Sequence, residues 1–176
     1  MIESKYWKED LITFSKYLKK KTHFTRWSEK SQVNFEKQVV LHFFLIRKLI
    51  ETNKITTALA NKKYDVVKYR KTNRSINSLN AYNLEKQFEI ENEIIDSKNI
   101  TFLTNQLIHS MTLFGLRNGK KWDSVVMTSD YEKNKWLYEI KVSTIVSIMD
   151  EFGNNYPYKM DAVFDENKND YSITLE

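Results

Sequence analysis

The chain has 176 residues, no cysteine, 14% aromatic residues including four tryptophans, and a formal net charge of +5. Its length and aromatic content suit one domain with a sizeable core and exclude global disorder. Without cysteine there can be no disulfide framework, zinc–thiolate or iron–sulfur centre and no Cys nucleophile, which fits a reducing cytoplasm.

The opening MIESKYWKEDL has charges on both sides of short apolar positions, and no stretch is apolar enough for a signal peptide or a membrane span. A soluble cytoplasmic protein with no membrane partner is the expectation. Charge is unevenly placed: residues 1–80 carry 18 Lys/Arg against 7 Asp/Glu, net +11, and residues 81–176 carry 10 against 16, net −6. A basic first half points to RNA, DNA or another polyanion, or to halves that neutralise each other within a fold or dimer.

Tyr6–Lys20 is predicted helical because Trp7, Leu11, Phe14 and Leu18 recur at helical spacing, and Lys19–Lys21 suit the negative end of its dipole. A core helix is expected from about Ser31 to Thr52, where Phe35, Val39, His42, Phe43, Ile46 and Leu49 form a broad stripe and Asn53 is the stop. Thr56 caps a short helix to Asn61. The segment 62–74 then interleaves Lys62, Lys63, Lys68, Arg70, Lys71 and Arg74 with Tyr64 and Tyr69. Two readings stand for it: a nucleic-acid surface of phosphate contacts and stacking platforms, or a strand with a solvated side.

Thr72–Asn80 is a loop by composition. For Ala81–Asp96 the apolar spacing favours a helix, although Phe88–Glu91 also alternates like a strand. Ser97 or Asn99 caps the next helix, whose Ile100, Leu103, Leu107 and Met111 face the core. Strands Met111–Leu116 and Trp122–Thr128 join through Asn118-Gly119, a hairpin signal. Lys135–Val142 alternates as a third strand. Ser143 then caps a helix carrying Ile145, Ile148, Met149 and Phe152 on one face, with Gly153 as its stop. Met160–Phe164 and Tyr171–Leu175 form a last hairpin. The fold class is therefore α+β in a single domain 1–176: a mainly helical part, 1–110, then a small antiparallel meander, a helix and a C-terminal hairpin sharing its core, 111–176.

The three glycines form no phosphate-cradling loop, the three histidines have no metal-ligand spacing, and there is no nucleophile elbow. Asn105 and His109 stand four residues apart on one helix face, where they can share a hydrogen bond or a ligand. This stretch, Thr104-Asn-Gln-Leu-Ile-His-Ser110, resembles the HEPN superfamily of helical, nucleic-acid-associated proteins of bacterial defence and toxin–antitoxin systems. Its nuclease members carry Arg-x(4–6)-His on a late helix of a bundle. The Asn, the His and the small follower match, while Phe102, Leu103 and Thr104 stand where the Arg would be. The resemblance implies that the His does proton chemistry and that a basic group stabilises phosphate charge, a part Arg47 can play only if its helix lies alongside.

The order helix, three strands, helix, strand is similar to the core of PD-(D/E)xK nucleases, in which a strand Asp and an acidic-x-Lys hold magnesium. Here Asp123 and Glu139-Ile140-Lys141 take those places. Glu3-Ser4-Lys5, Asp96-Ser97-Lys98 and Glu166-Asn167-Lys168 fit the same short pattern, and strand alternation also explains Glu139 and Lys141 as a solvent face. Asp130–Asn134 reads as a turn. The leading expectation is a non-catalytic protein that touches nucleic acid through Lys62, Lys63, Lys68, Tyr69, Arg70, Lys71 and Arg74, needing no metal or cofactor. The alternatives are a magnesium-dependent nuclease and a protein-binding module or homodimer without nucleic-acid affinity.

Overall fold

The computed structural model describes residues 3–77, 79–167 and 169–176; Ser78 of the predicted loop and Lys168 of the third acid-x-Lys pattern lie outside them. Helices α1 (Lys5–Leu18) and α2 (Glu29–Glu51) lead into a one-turn α3 (Thr57–Ala60) and strand β1 (Lys63–Arg70). A one-turn α4 (Leu84–Gln87) precedes β2 (Ile94–Asn99), which passes directly into α5 (Ile100–Ile108). Strands β3 (Ser110–Asn118), β4 (Lys121–Ser129) and β5 (Trp136–Lys141), helix α6 (Val142–Asn154) and the hairpin β6 (Met160–Asp165) and β7 (Asp170–Leu175) complete the chain. The fold is α+β.

The helix ends follow their local chemistry. The Ser28 hydroxyl accepts from the Ser31 amide at 3.1 Å while the Ser31 hydroxyl accepts from the Ser28 amide at 3.1 Å, a reciprocal capping box that starts α2. Asn53, at φ 56°, stops it in the left-handed conformation. Thr56 caps α3 and the Asn99 side chain caps α5, accepting from the Phe102 amide at 2.8 Å. Gly119, at φ 61°, turns the β3–β4 hairpin.

The sheet has five antiparallel strands in the order β2-β1-β5-β4-β3, and the hairpin β6–β7 stands as a separate two-stranded sheet. The meander is thus widened by two strands from the first half. Residues 81–96 do not form one helix: the helical spacing is realised only over Leu84–Gln87, and Ile94–Asn99 is an edge strand paired with β1. A β partner distant in sequence overrides a weak local period. Met111 lies in β3 rather than on the preceding helix. Ser143 is not the cap of α6, whose N-cap is Lys141, and Gly153 lies inside the last turn of α6, where Ile12 and the Lys8 carbonyl leave no room for a Cβ.

The four long helices cover one face of the sheet. Leu11 and Phe14 of α1, Phe43 and Ile46 of α2, Leu103 of α5 and Phe152 of α6 meet Val125, Met127 and Ile140 in the main core. Burial of this many large apolar side chains, at about 1.5–3 kcal/mol each, is the main force holding the layers together. The other face is covered by the connection 71–93: Ile76, Ala81 and Phe88 pack on Tyr69, Val126 and Leu137. One cation belongs to the core as well. Lys8 is 1% exposed, donates to the Lys54 carbonyl at 2.9 Å and to the Asn155 carbonyl, and lies 4.0 Å from the centre of the Tyr156 ring. Burial pushes its pKa down, and the two carbonyls and the ring satisfy the charge that stays.

Candidate nucleic-acid interface

Strand alternation sorts the basic segment 62–74. In the β1–β5 pair Lys68 stands opposite Tyr138 and Arg70 opposite Trp136, so these four share the helix-bearing side. The Lys68 ammonium lies 4.6 Å and the Arg70 guanidinium 5.7 Å from the centre of the Trp136 ring. Lys98, from β2, joins them: it and Lys68 share the carboxylate of Asp96, at 3.1 and 2.8 Å. Lys98 also sits 5.0 Å from the Phe102 ring, which meets Tyr138 edge-on. Three cations, one carboxylate and three aromatic rings therefore make one strip. The Lys68 hydrogen bond, with help from Lys98, holds the Asp96 carboxyl down at about 2.

The other predicted contacts are elsewhere. Tyr69 is 5% exposed and donates its hydroxyl to Glu139 at 2.6 Å, so its ring belongs to the core and is not a stacking platform. Lys62 pairs with Glu151 at 2.6 Å, and Lys71 donates to the Thr72 carbonyl at 3.1 Å. Lys63 and Arg74 are exposed, off the strip. Lys98 and Phe102 were not among the predicted contacts; the signal that could have found Lys98 is the alternation Ile94-Asp96-Lys98 opposite β1.

Phe102 is also a wall of a pocket of about 640 Å³ that holds Arg47, Asn105 and His109. The packing of α2 on α5 brings Arg47 beside the Asn105 side chain, to whose Oδ1 its Nη1 donates at 3.2 Å. Arg47 Nε also donates to Glu51 Oε1 at 2.7 Å, and the Lys48 hydrogen bond, with that of Arg47, holds the Glu51 carboxyl below its usual range. His109 is the C-cap of α5: its amide donates to the Asn105 carbonyl at 3.0 Å, and its exposed ring lies at the pocket mouth. A basic, an amide and an imidazole group thus share one cleft, fixed at its base by the helix pair. Asp130, Tyr131 and Glu132 form the opposite wall. Glu132 is 7% exposed and accepts from the Tyr138 hydroxyl at 3.1 Å, and burial together with this carboxylate pushes the Tyr138 pKa up. The turn 130–134 is present, and it walls the pocket as well as reversing the chain.

Asp123, Glu139 and Lys141 also come together. In the β3–β4 ladder Leu116 pairs with Ser124 and Arg117 with Trp122, so Asp123 is the extra residue of a bulge. Lys141 bridges the carboxylates of Asp123 at 3.3 Å and Glu139 at 2.7 Å. Glu139 is 6% exposed; burial raises its pKa, but the hydrogen bonds from Lys141 and Tyr69 outweigh this and leave it below the ordinary value. An ammonium therefore stands between the two carboxylates. Among the described residues no group of three or more His, Asp or Glu is arranged to hold a metal ion, and no helix is long and apolar enough to cross a membrane. Comparison with family models, with curated proteins and with solved structures finds no match to this chain.

Proposed function

We propose that the protein binds single-stranded nucleic acid, with Lys68, Arg70 and Lys98 on the phosphate backbone and Trp136 as a stacking platform. The observation that carries this is the convergence of these three cations on the Trp136 and Phe102 rings, beside the pocket that holds Arg47. Cations alternating with aromatic faces suit a flexible strand, because phosphates and bases then find separate partners. Arg47, held by Asn105 and Glu51, is placed to take a phosphate where the strand leaves the strip.

Binding of labelled single strands, measured against salt concentration, tests this. For the three cations the logarithmic salt slope is expected to fall by about 2 in Lys68→Ala/Arg70→Ala/Lys98→Ala, and Trp136→Ala is expected to cost about 1–3 kcal/mol. No binding at low salt, or an unchanged slope in the triple variant, refutes the proposal. The same mixtures decide whether the protein also cuts. Metal-independent cleavage lost in His109→Ala would make the pocket a nuclease centre. The convergence of Asp123, Glu139 and Lys141 supports a second reading, in which cleavage appears on adding magnesium and is lost in Asp123→Ala or Glu139→Ala.

A further inference from the structure

The hairpin β6–β7 has two unlike faces. Its register sets Met160 opposite Leu175, Ala162 opposite Ile173 and Phe164 opposite Tyr171, so one face is wholly apolar. The other carries Asp161, Thr174, Val163, Ser172, Asp165 and Asp170. At its root the hairpin is fixed to α3, where the Leu175 amide donates to Thr57 Oγ1 at 2.9 Å and Leu175 is 8% exposed. Elsewhere the apolar face is open: beside Leu175 at the root Met160 is 62% exposed, and near the tip Phe164 is 48% and Tyr171 59% exposed, with the two rings in edge contact at 5.2 Å. A two-stranded hairpin is marginally stable by itself, and a continuous apolar patch on one marks an interaction surface.

The same chain offers a complementary surface. Between α1 and α2 lies a groove of about 870 Å³, floored by Phe14 and Phe35 and walled by Tyr17, Leu41 and Leu45. Leu41 is 47% exposed. Residues 5–51, from which the groove is drawn, carry eleven Lys/Arg against five Asp/Glu, net +6; this is a field of the whole segment, since the charged residue in the groove lining itself is Asp10. Residues 159–176 carry two Lys against five Asp/Glu, net −3. An acidic apolar arm and a basic region with an apolar groove are thus parts of one sequence.

We propose that a second copy of this chain covers both: the hairpin of each copy lies apolar face down in the α1–α2 groove of the other. Each copy gives an arm and receives one, so a two-fold axis closes the pair and no further copies add on. Met160, Phe164 and Tyr171 hide about 100 Å² each, and the groove hides a similar area, so two arms bury about 1,200 Å², at the lower limit for a stable interface. Charge complementarity steers the arm to the groove and not to another arm. The proposal is independent of nucleic-acid binding.

Sedimentation of the full-length protein over a range of concentrations tests it, with circular dichroism to check folding. The protein is expected to sediment as a dimer. Phe164→Asp in the arm and Leu41→Asp in the groove are each expected to weaken the dimer by about tenfold or more, since both positions are exposed in the single chain and the fold should persist. Because the chain has no cysteine, Leu41→Cys and Phe164→Cys proteins can be mixed under mild oxidation. A disulfide-linked heterodimer is expected from the mixture, in excess of either homodimer. A monomer at every concentration, a dimer unaffected by both aspartates, or Leu41→Cys protein that crosslinks alone as well as in the mixture would overturn the proposal.

Discussion

Replacing Gly115 by alanine tests how tightly α2 is seated on the edge of the sheet. A Cβ at this position would meet Phe35 Cδ1 at 2.5 Å and Cε1 at 2.6 Å, and Gln32 Nε2 at 3.3 Å. Phe35 cannot swing away, because it is 2% exposed and its ring is stacked on Trp122 at 4.2 Å with an angle of 6°. Gly115 also holds α2 by hydrogen bonds: Gln32 Nε2 donates to its carbonyl at 2.8 Å and its amide donates to Glu36 Oε1 at 3.1 Å. The added methyl therefore costs overpacking, about 1–3 kcal/mol, and strains two hydrogen bonds worth about 1 kcal/mol each. Alanine in place of glycine recovers less than about 1 kcal/mol of backbone entropy. A net loss of about 2–3 kcal/mol is expected, a fall in Tm of about 5–10 °C for a chain of this size. Thermal and denaturant melts of Gly115→Ala, Phe35→Leu and the double variant measure it. In the double variant the smaller side chain makes room, so the two losses are expected to combine to less than their sum. A Gly115→Ala protein within about 0.5 kcal/mol of the parent, or strict additivity, would refute the reasoning.

Ser28→Ala removes one half of the capping box at the start of α2 and is expected to cost about 1 kcal/mol, or about 2–4 °C in Tm. The contribution of Asp96 to stability has a defined pH window. Its folded pKa of about 2 is below the unfolded value of about 3.9, so the stabilisation is complete above that unfolded value and is lost as pH falls toward the folded one. Denaturant midpoints of the parent and Asp96→Asn are expected to differ at neutral pH and to converge in acid; a gap that does not shrink contradicts the Lys68–Asp96 assignment.

Local signals were readable wherever their partners lie close in sequence. The stop at Asn53, the caps at Thr56 and Asn99 and the Asn118-Gly119 turn all act over a few residues, and each stands in the structure as its chemistry requires; Trp136–Lys141 is a strand, but the face carrying Leu137 and Glu139 is buried rather than solvated. What depends on distant parts of the chain was hidden. Ile94–Asn99 needs β1 to be a strand, and Lys98 reaches the strip only through that pairing. Lys8 reads as one more charge on an amphipathic helix, since nothing near it announces carbonyls 46 and 147 residues away. Arg47 and Asn105 are 58 residues apart and meet because two helices pack together. Asp123 was placed on a strand by its neighbours, but the bulge that turns it toward Lys141 is a property of the β3–β4 register.

Helix α5 follows β2 without an intervening residue, and one residue separates it from β3. Those two strands are the opposite edges of the five-stranded sheet, and edges are where sheets ordinarily fray first. Nine helical residues span about 13 Å, and only the links to Asn99 and, through His109, to Ser110 are left to make up the about 19 Å of four strand spacings, so the strap crosses with almost no slack. Neither margin can peel away without unwinding a turn of α5 or pulling on the far side. The sheet and its strap therefore open as one cooperative unit, and amide exchange in β2 and β3 should slow together although they never touch.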